Sequence, residues 1–292
     1  MTEINNRKGI VLAGGMGTRM QPSTLATNKH LLNVYNKPMI FYSVSILMLS
    51  GINDILIISD SNSIKNFKIL FSKLKLGVKF RYAIQKKPKG IVEGLIIGSK
   101  IYKNNHIAMI LGDNFFYGQN LTSKLLENTK LKKGAKVVLH KVKKPESFGV
   151  AKINKNNKIV SIKEKPKKFL SDLAITGLYF FDNNVINYAK KLKPSKRGEV
   201  EIVDLLNFYK SKNQLSADLI GRGGAWLDTG SIEDFYKTSA FVSAVENRQG
   251  FKIACLEEIS LNKGWISKKT LENSIKFYGN CEYSNYLKKL IL

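Results

Sequence analysis

The sequence predicts an α/β fold in which a mostly parallel sheet flanked by helices is followed by a strand-rich portion and a helical tail. Short apolar runs of strand length alternate with longer helical runs from Gly9 to Leu111. The first strand runs into Gly14-Gly15-Met16-Gly17, a glycine-rich turn at the end of the sheet where such folds receive ligands. Beyond about Lys136 the pattern becomes strand-rich, and from about Ile232 it reads as mainly helical.

Residues 9–13 (Gly-Ile-Val-Leu-Ala) are an unbroken apolar run of strand length. Residues 38–50 read as a helix, with Pro38 in the first turn, where its missing N–H costs nothing, and Gly51 just past the end. Strands at 54–59, 78–84 and 107–111 alternate with helices at 63–73 and 91–102. Gly14, Gln85 and Asp113 therefore all follow strands, at the carboxyl edge of the sheet. Later strands are expected at 136–141, 150–153, 158–163, 174–181 and 215–220, with helices at 184–191 and 199–211. Glycine and proline are thinly spread and no repeat is visible, so residues 1–231 read as one core. Its second part, about 136–231, continues the sheet of the first, about 1–135, and adds a substrate-facing subregion. Residues 232–292 form a mainly helical segment, with Trp265, Phe277, Tyr283 and Tyr286 as apolar anchors against the core or a neighbouring subunit.

A chain of 292 residues that is 43% hydrophobic can bury a substantial core, which excludes a disordered tail. Its 48 basic residues outnumber 22 acidic ones, for a formal charge of +26 that draws in anions. The lysines are scattered, without a dense block or aromatic interleaving, so the charge reads as solvated surface and steering of small anions, with no nucleic-acid partner. Cys255 and Cys281 are too few for a disulfide framework, and His30, His106 and His140 do not cluster with them as a zinc site. The first eight residues lack the apolar stretch of a signal peptide, and the most apolar run, 39–52, is too short to span a bilayer. A cytoplasmic protein with no membrane contact is the expectation.

The glycine turn lets main-chain N–H groups approach a phosphate, and Arg19 and Lys29 add positive charge beside Pro22. It is not a Walker A loop, since no Lys follows Gly17, nor a dinucleotide fingerprint, since Met20 stands where a third glycine belongs. A nucleoside triphosphate is the ligand this arrangement suits. Asp113 in Leu-Gly-Asp-Asn and Asp228 in Trp-Leu-Asp-Thr-Gly are carboxylates in turns which, if brought together near triphosphate oxygens, could hold one Mg²⁺. Each alone is as compatible with a turn former. Glu164-Lys165-Pro166 could hold a hydroxylated, phosphorylated ligand, the carboxylate taking hydroxyls and the ammonium a phosphate.

Together with Asn28–Leu32, Asn36–Ile40, Thr176–Phe180 and Arg197–Ile202, these blocks resemble, in order and spacing, the sugar-1-phosphate nucleotidylyltransferases, most closely the glucose-1-phosphate thymidylyltransferases. The resemblance implies a Rossmann-like core with a nucleotide part and a sugar-binding part. It implies that Leu12, Gly14, Gly15, Gly17 and Thr18 wrap the nucleotide, that Arg19 grips the departing pyrophosphate, that Lys29 bridges phosphate oxygens, and that Gln85 and Gly90 read the pyrimidine. Asp113 and Asp228 are then the Mg²⁺ ligands. Gly149, Glu164, Ile175 and Tyr179 line the sugar pocket, with Lys165 and Arg197 on its phosphate. The implied substrates are dTTP and glucose 1-phosphate, joined in line with charge neutralisation by Arg19, Lys29 and Lys165 doing the catalysis. UTP, or another hexose or amino-sugar 1-phosphate, is the alternative, and a non-catalytic sensor or nucleic-acid-binding protein is a rival of another class. The resemblance further implies a homotetramer and a dTDP-deoxysugar feedback site, parts of which Tyr117-Gly118 and Gly221-Arg222-Gly223 resemble, although Gln119 and Gly224 depart from it. Further departures are His30 and Glu93, each where the family has Gln, Lys89 where it has an acidic residue, and Phe148 where it has Tyr. His30 is open to two readings, a ligand contact that titrates near neutral pH or a tolerated substitution.

Overall fold

The hydrophobic rhythm of the first hundred residues becomes, in a computed structural model describing residues 7–15, 17–87, 89–195 and 198–292, a sheet with helices on both faces. In chain order the first elements are β1 (Lys8–Leu12), the short pair β2 (Asn33–Val34) and β3 (Lys37–Pro38), α1 (Met39–Leu49), β4 (Asp54–Ser59), α2 (Ile64–Ser72), β5 (Lys79–Ile84), α3 (Ile91–Tyr102) and β6 (Ile107–Leu111). Then come β7 (Asn114–Tyr117), α4 (Leu121–Thr129), β8 (Ala135–Lys141), β9 (Gly149–Ile153), β10 (Ile159–Glu164), β11 (Leu173–Phe181), α5 (Val185–Ala189), α6 (Ile202–Ser211), β12 (Leu215–Leu219) and β13 (Ala225–Asp228). Four helices complete the described chain: α7 (Ile232–Gln249), α8 (Leu256–Asn262), α9 (Lys268–Tyr278) and α10 (Glu282–Lys289).

The sheet runs β10-β9-β11-β6-β1-β4-β5, with β8 beside β11 and β12 beside β8. Its centre is parallel: β1 pairs with β4 and β6, and β4 with β5. The later strands enter through β11, which lies antiparallel to β6 and β8. The sheet is therefore parallel where βα units build it and antiparallel where the second part joins. All six residues of β4 are buried, as expected for a strand covered on both faces.

Helix α1 is buried over ten of its eleven residues and has no polar face to orient it. Its serines are satisfied locally or by the sheet, with Ser43 Oγ donating to the Leu111 carbonyl at 3.1 Å and Ser45 Oγ to the Tyr42 carbonyl at 2.7 Å. On the other face, α3 presents Gly94 and Gly98, and a Cβ at 98 would lie 2.6 Å from Ile10 Cδ1. Without that carbon, Ile10 packs directly against the backbone of the helix.

The helical tail is tied to the core by a buried charge cluster. Lys37, in the short β2–β3 pair, meets Glu246 of α7 at 2.7 Å, and both side chains are almost fully buried. Glu246 also accepts from Ile253 N–H at 2.9 Å and from Asn36 Nδ2 at 2.9 Å, and it pairs with Lys252 at 3.2 Å. Burial works to lower the Lys37 pKa, and the hydrogen bond and charge of Glu246 oppose it. Removing one partner of such a pair strands the other in a low-dielectric interior. Glu246→Ala should therefore lower unfolding free energy by about 3–5 kcal/mol in urea melts, whereas the double replacement Lys37→Met/Glu246→Leu should recover most of the loss.

Candidate active site

At the carboxyl end of β1, Ala13 N–H donates to the Ile58 carbonyl at 2.8 Å and the chain then leaves the sheet. Gly17 adopts φ 59°, the left-handed region that glycine enters without penalty, and opens a short turn over Thr18–Met20. Thr24 Oγ1 fixes that turn by donating to the Gly17 carbonyl at 2.8 Å. Gln85, just past β5, is buried with its Oε1 above the turn, so close that a Cβ on Gly14 would lie 2.8 Å from it. Gly90 is held at φ 96°, and a Cβ there would lie 2.6 Å from the Val200 carbonyl. Leu12, Gly14, Gly15, Gln85 and Gly90 line one cavity of about 260 Å³, together with Glu164 and Lys165. Gly17 and Thr18 lie outside that lining, in the turn itself.

A second cavity, of about 300 Å³, shares Ile91, Glu164, Lys165 and Ile202 with the first, so the two form one cleft. Arg19, Asp113, Gly149, Ile175, Tyr179 and Asp228 face it. Arg197 lies outside the described residues. The two aspartates are brought together by a short antiparallel pair, β7 with β13, that sets Asp228 opposite Asn114. Thr229 tightens the junction, donating from N and Oγ1 to the Asp113 carbonyl at 2.9 and 2.7 Å.

Lys29 donates from Nζ to Asp113 Oδ2. It is placed there by Asn28, whose Nδ2 reaches the Ala13 carbonyl at 3.2 Å, Asp60 Oδ2 at 3.2 Å and Ser63 Oγ at 3.2 Å. Burial works to raise the Asp113 pKa, but the charge of Lys29 and the hydrogen bonds from Lys29 and Asn114 pull it below the usual carboxylate range. Asp228 goes the other way, raised first by burial and then by the charge of Asp113. A buried carboxylate under that strain is relieved by a cation. Among the described residues no group of three or more His, Cys, Asp or Glu gathers to hold a metal, so a cation here would take two carboxylates and complete its shell with ligand oxygens and water. That donor set suits a hard divalent ion such as Mg²⁺.

Asn114 orients Asp113. Its Oδ1 accepts from Gly177 N–H at 2.8 Å and Trp226 Nε1 at 2.6 Å, which leaves Nδ2 to donate to Asp113 Oδ1 at 3.1 Å. A Cβ on Gly177 would lie 2.7 Å from Asn114 Oδ1, so only glycine permits this approach. Asn114, Gly177 and Trp226 stand inside recognisable blocks of sequence, but their spacing gave no sign of this role, because the three meet only through tertiary folding. At the other end of the cleft, Glu164 Oε2 would be 3.1 Å from a Cβ on Gly149, and Lys165 sits at φ 41°, a left-handed backbone uncommon outside glycine. Such strain, of order 1–3 kcal/mol, persists where surrounding contacts hold it, here Lys165 N–H on the Phe148 carbonyl at 2.9 Å. The Phe148 ring meets Trp226 edge-on with centroids 5.2 Å apart.

His30 does not face the cleft as a titrating contact. It is 1% exposed, with backbone N–H and Nδ1 on Asn28 Oδ1 at 2.9 and 2.7 Å. Burial, then the charge of Lys29, push its pKa from 6.5 down to about 3. Of the two readings open from sequence, the structure selects the tolerated substitution. Elsewhere, Tyr117 and Gly118 line a cavity of about 460 Å³ with residues of α1, α4 and α8. A Cβ on Gly118 would lie 2.8 Å from Gly224 Cα, so the Tyr117-Gly118 block and the 221–224 turn are neighbours.

The pattern of the nucleotidyl transferase family matches residues 8–245. Over 285 residues the chain is 46% identical to a glucose-1-phosphate thymidylyltransferase of Neisseria meningitidis, an alignment spanning 97% of this chain and 99% of that one. A glucose-1-phosphate thymidylyltransferase of Xanthomonas campestris pv. campestris is 41% identical over 288 residues, 98% of each chain. Among solved structures, a Bacillus anthracis protein described as a glucose-1-phosphate thymidylyltransferase, in complex with sucrose, superposes with a TM-score of 0.74 at 40% identity, covering 80% of this chain and 94% of that one. No helix among the described residues is long and apolar enough to cross a membrane.

The buried neutral His30 has a pH consequence. The unfolded chain takes up a proton below pH 6.5 that the native chain refuses until about pH 3, so stability present above 6.5 is lost progressively as pH falls through that window. Between about pH 7 and pH 5 the wild type should lose about 2 kcal/mol more unfolding free energy than His30→Gln, measured by urea denaturation of both.

Proposed function

The chain belongs to the nucleotidyl transferase family, and on that premise we propose that it joins dTTP to α-D-glucose 1-phosphate, giving dTDP-glucose and pyrophosphate. The observation that most supports this reading is a single cleft in which the glycine turn faces one end, Glu164 and Lys165 the other, and Asp113, Asp228 and Arg19 the space between. A phosphate oxygen of the sugar phosphate attacks the α-phosphorus. The new O–P bond forms as the bond to the β-phosphate oxygen breaks, and its electron pair leaves with pyrophosphate. The nucleophile is already anionic, so neither a strong general base nor a covalent enzyme intermediate is required.

Catalysis then consists of positioning and charge neutralisation. In this proposal Leu12, Gly14, Gly15, Gly17 and Thr18 wrap the nucleotide, and Gln85 and Gly90 read its base. Lys29 bridges phosphate oxygens while orienting Asp113, and Arg19 takes the developing charge on pyrophosphate. Lys165 and Arg197 clasp the phosphate of the sugar, whose hydroxyls face Glu164, Gly149, Ile175 and Tyr179. Nucleotidyl transferases are generally metal-dependent, and here Asp113 and Asp228 are proposed to hold Mg²⁺, which when bound neutralises triphosphate charge and polarises the reacting phosphoryl group. A cytoplasmic homotetramer, with a dTDP-deoxysugar as feedback inhibitor, belongs to the same proposal, supported by the cavity beside Tyr117 and Gly118.

The test is pyrophosphate release across dTTP and UTP paired with glucose 1-phosphate and other hexose and amino-sugar 1-phosphates. The expected best pair is dTTP with glucose 1-phosphate, and activity with UTP but none with dTTP would reject the assignment. Asp113→Asn and Asp228→Asn should each lower kcat by about 10²-fold or more, with circular dichroism showing that both variants are folded at the assay temperature. Full activity in both variants would remove the metal assignment.

A further inference from the structure

Just past β5, Lys86, Lys87 and Lys89 stand exposed between Gln85 and Gly90, two residues that line the glycine-turn cavity. Lys167 and Lys168 stand exposed shortly after Lys165, which lines the same cavity. Lys89 is a cation where the family has an acidic residue. Among the described residues none of these five lysines makes an ion pair. Away from the cleft, by contrast, Lys8 and Arg81 share Asp54, and Lys124 meets Asp218 at 3.3 Å. Inside the cleft the balance reverses. Its described lining holds five carboxylates, Asp113, Asp228, Glu164, Glu199 and Glu201, against two cations, Arg19 and Lys165. Counting Lys29, which is bonded to Asp113, the carboxylates are still in excess. A polyanion approaching such a lining is repelled, the more so as water is excluded.

We propose that Lys86, Lys87, Lys89, Lys167 and Lys168 form a capture rim, a surface that concentrates phosphate-bearing substrates beside an acidic cleft before they reach the residues that hold them. Unpaired like charges grouped within a Debye length, about 10 Å at 0.1 M salt, sum to a potential that raises the local concentration of small polyanions and their rate of arrival. The rim acts on arrival and touches no reacting group, so it governs KM and leaves kcat alone. This inference rests on the reading of the cleft as a site for phosphate-bearing substrates.

The experiment measures kcat and KM for the triphosphate that the wild type uses best, over a range of KCl concentrations. It compares the wild type with a rim variant, Lys86→Gln/Lys87→Gln/Lys89→Gln, and with a control of equal charge change on α9, Lys268→Gln/Lys269→Gln/Lys276→Gln, whose lysines are exposed and line neither cavity. Circular dichroism confirms that each variant folds. At low salt kcat/KM in the rim variant should fall about fivefold or more, through KM, with kcat within about twofold, and the gap should close as salt rises. Adding Lys167→Gln/Lys168→Gln should lower kcat/KM further, while the α9 control stays within about twofold of the wild type. A fall shared equally by the control overturns the inference, since net charge then acts from the whole surface. An unchanged KM, or a loss confined to kcat, overturns it as well. If the wild type turns over no triphosphate, the functional reading fails by itself, and titration calorimetry with magnesium tripolyphosphate decides the rim. A Kd raised about fivefold in the rim variant alone supports it, and equal Kd values overturn it.

Discussion

Two carboxylates that face one largely buried cavity repel each other, and the cleft is organised around that repulsion. Asp113 and Asp228 are set side by side by β7 and β13, and one lysine cannot neutralise both. Lys29 is committed to Asp113, so the unrelieved part of the penalty appears on Asp228, whose pKa rises. The position of Lys29 follows in turn from Asn28, which ties its segment to the ends of β1 and β4 through Ala13, Asp60 and Ser63. The charge balance of the site is thus inherited from the carboxyl edge of the parallel sheet.

Around that centre, backbone and side chains divide the work. The glycine turn keeps side-chain carbon out of its end of the cleft, and the close approach at Gly177 lets Asn114 receive two N–H groups and aim its own at Asp113. Trp226 therefore does more than fill space, since its indole N–H and the Gly177 amide together fix the direction of the Asn114 amide that holds a carboxylate. Gln85 and Glu93 repeat the same device beside the glycine turn, where one side chain's acceptors decide which end of a neighbouring amide is presented. Lys165 is carried on strained backbone between the two halves of the cleft, where it reaches both.

Elements were legible where burial was continuous. The strands at 54–59 and 107–111 and the helix at 91–102 have the boundaries their apolar runs suggest, because the strands are buried almost throughout and the helix keeps one buried face from Val92 to Tyr102. The pair β7–β13 was not legible. Each strand has four residues and no alternation of its own, and each exists because the other, more than a hundred residues away, supplies its hydrogen bonds. Helix α4 was hidden for a related reason, since only Leu125 and Asn128 of its residues are buried. The direction in which β11 joins the sheet was equally closed to periodicity, which reports that a strand is buried but not which way its neighbour runs.

What the sequence by itself determined was the alternation of elements, the glycine turn, and the set of charged residues that stand just past strand ends. These are local: they depend on spacing, propensity and the absence of a side chain, all readable from a few consecutive residues. Only the tertiary structure decided that Asp113 and Asp228 share a cavity, that His30 is a neutral core residue and not a contact, and that Glu93 turns the Gln85 amide. The physical reason is that burial, hydrogen-bond direction and electrostatic coupling are properties of groups that meet in space, and residues distant along the chain carry no local mark of the neighbour that will set them.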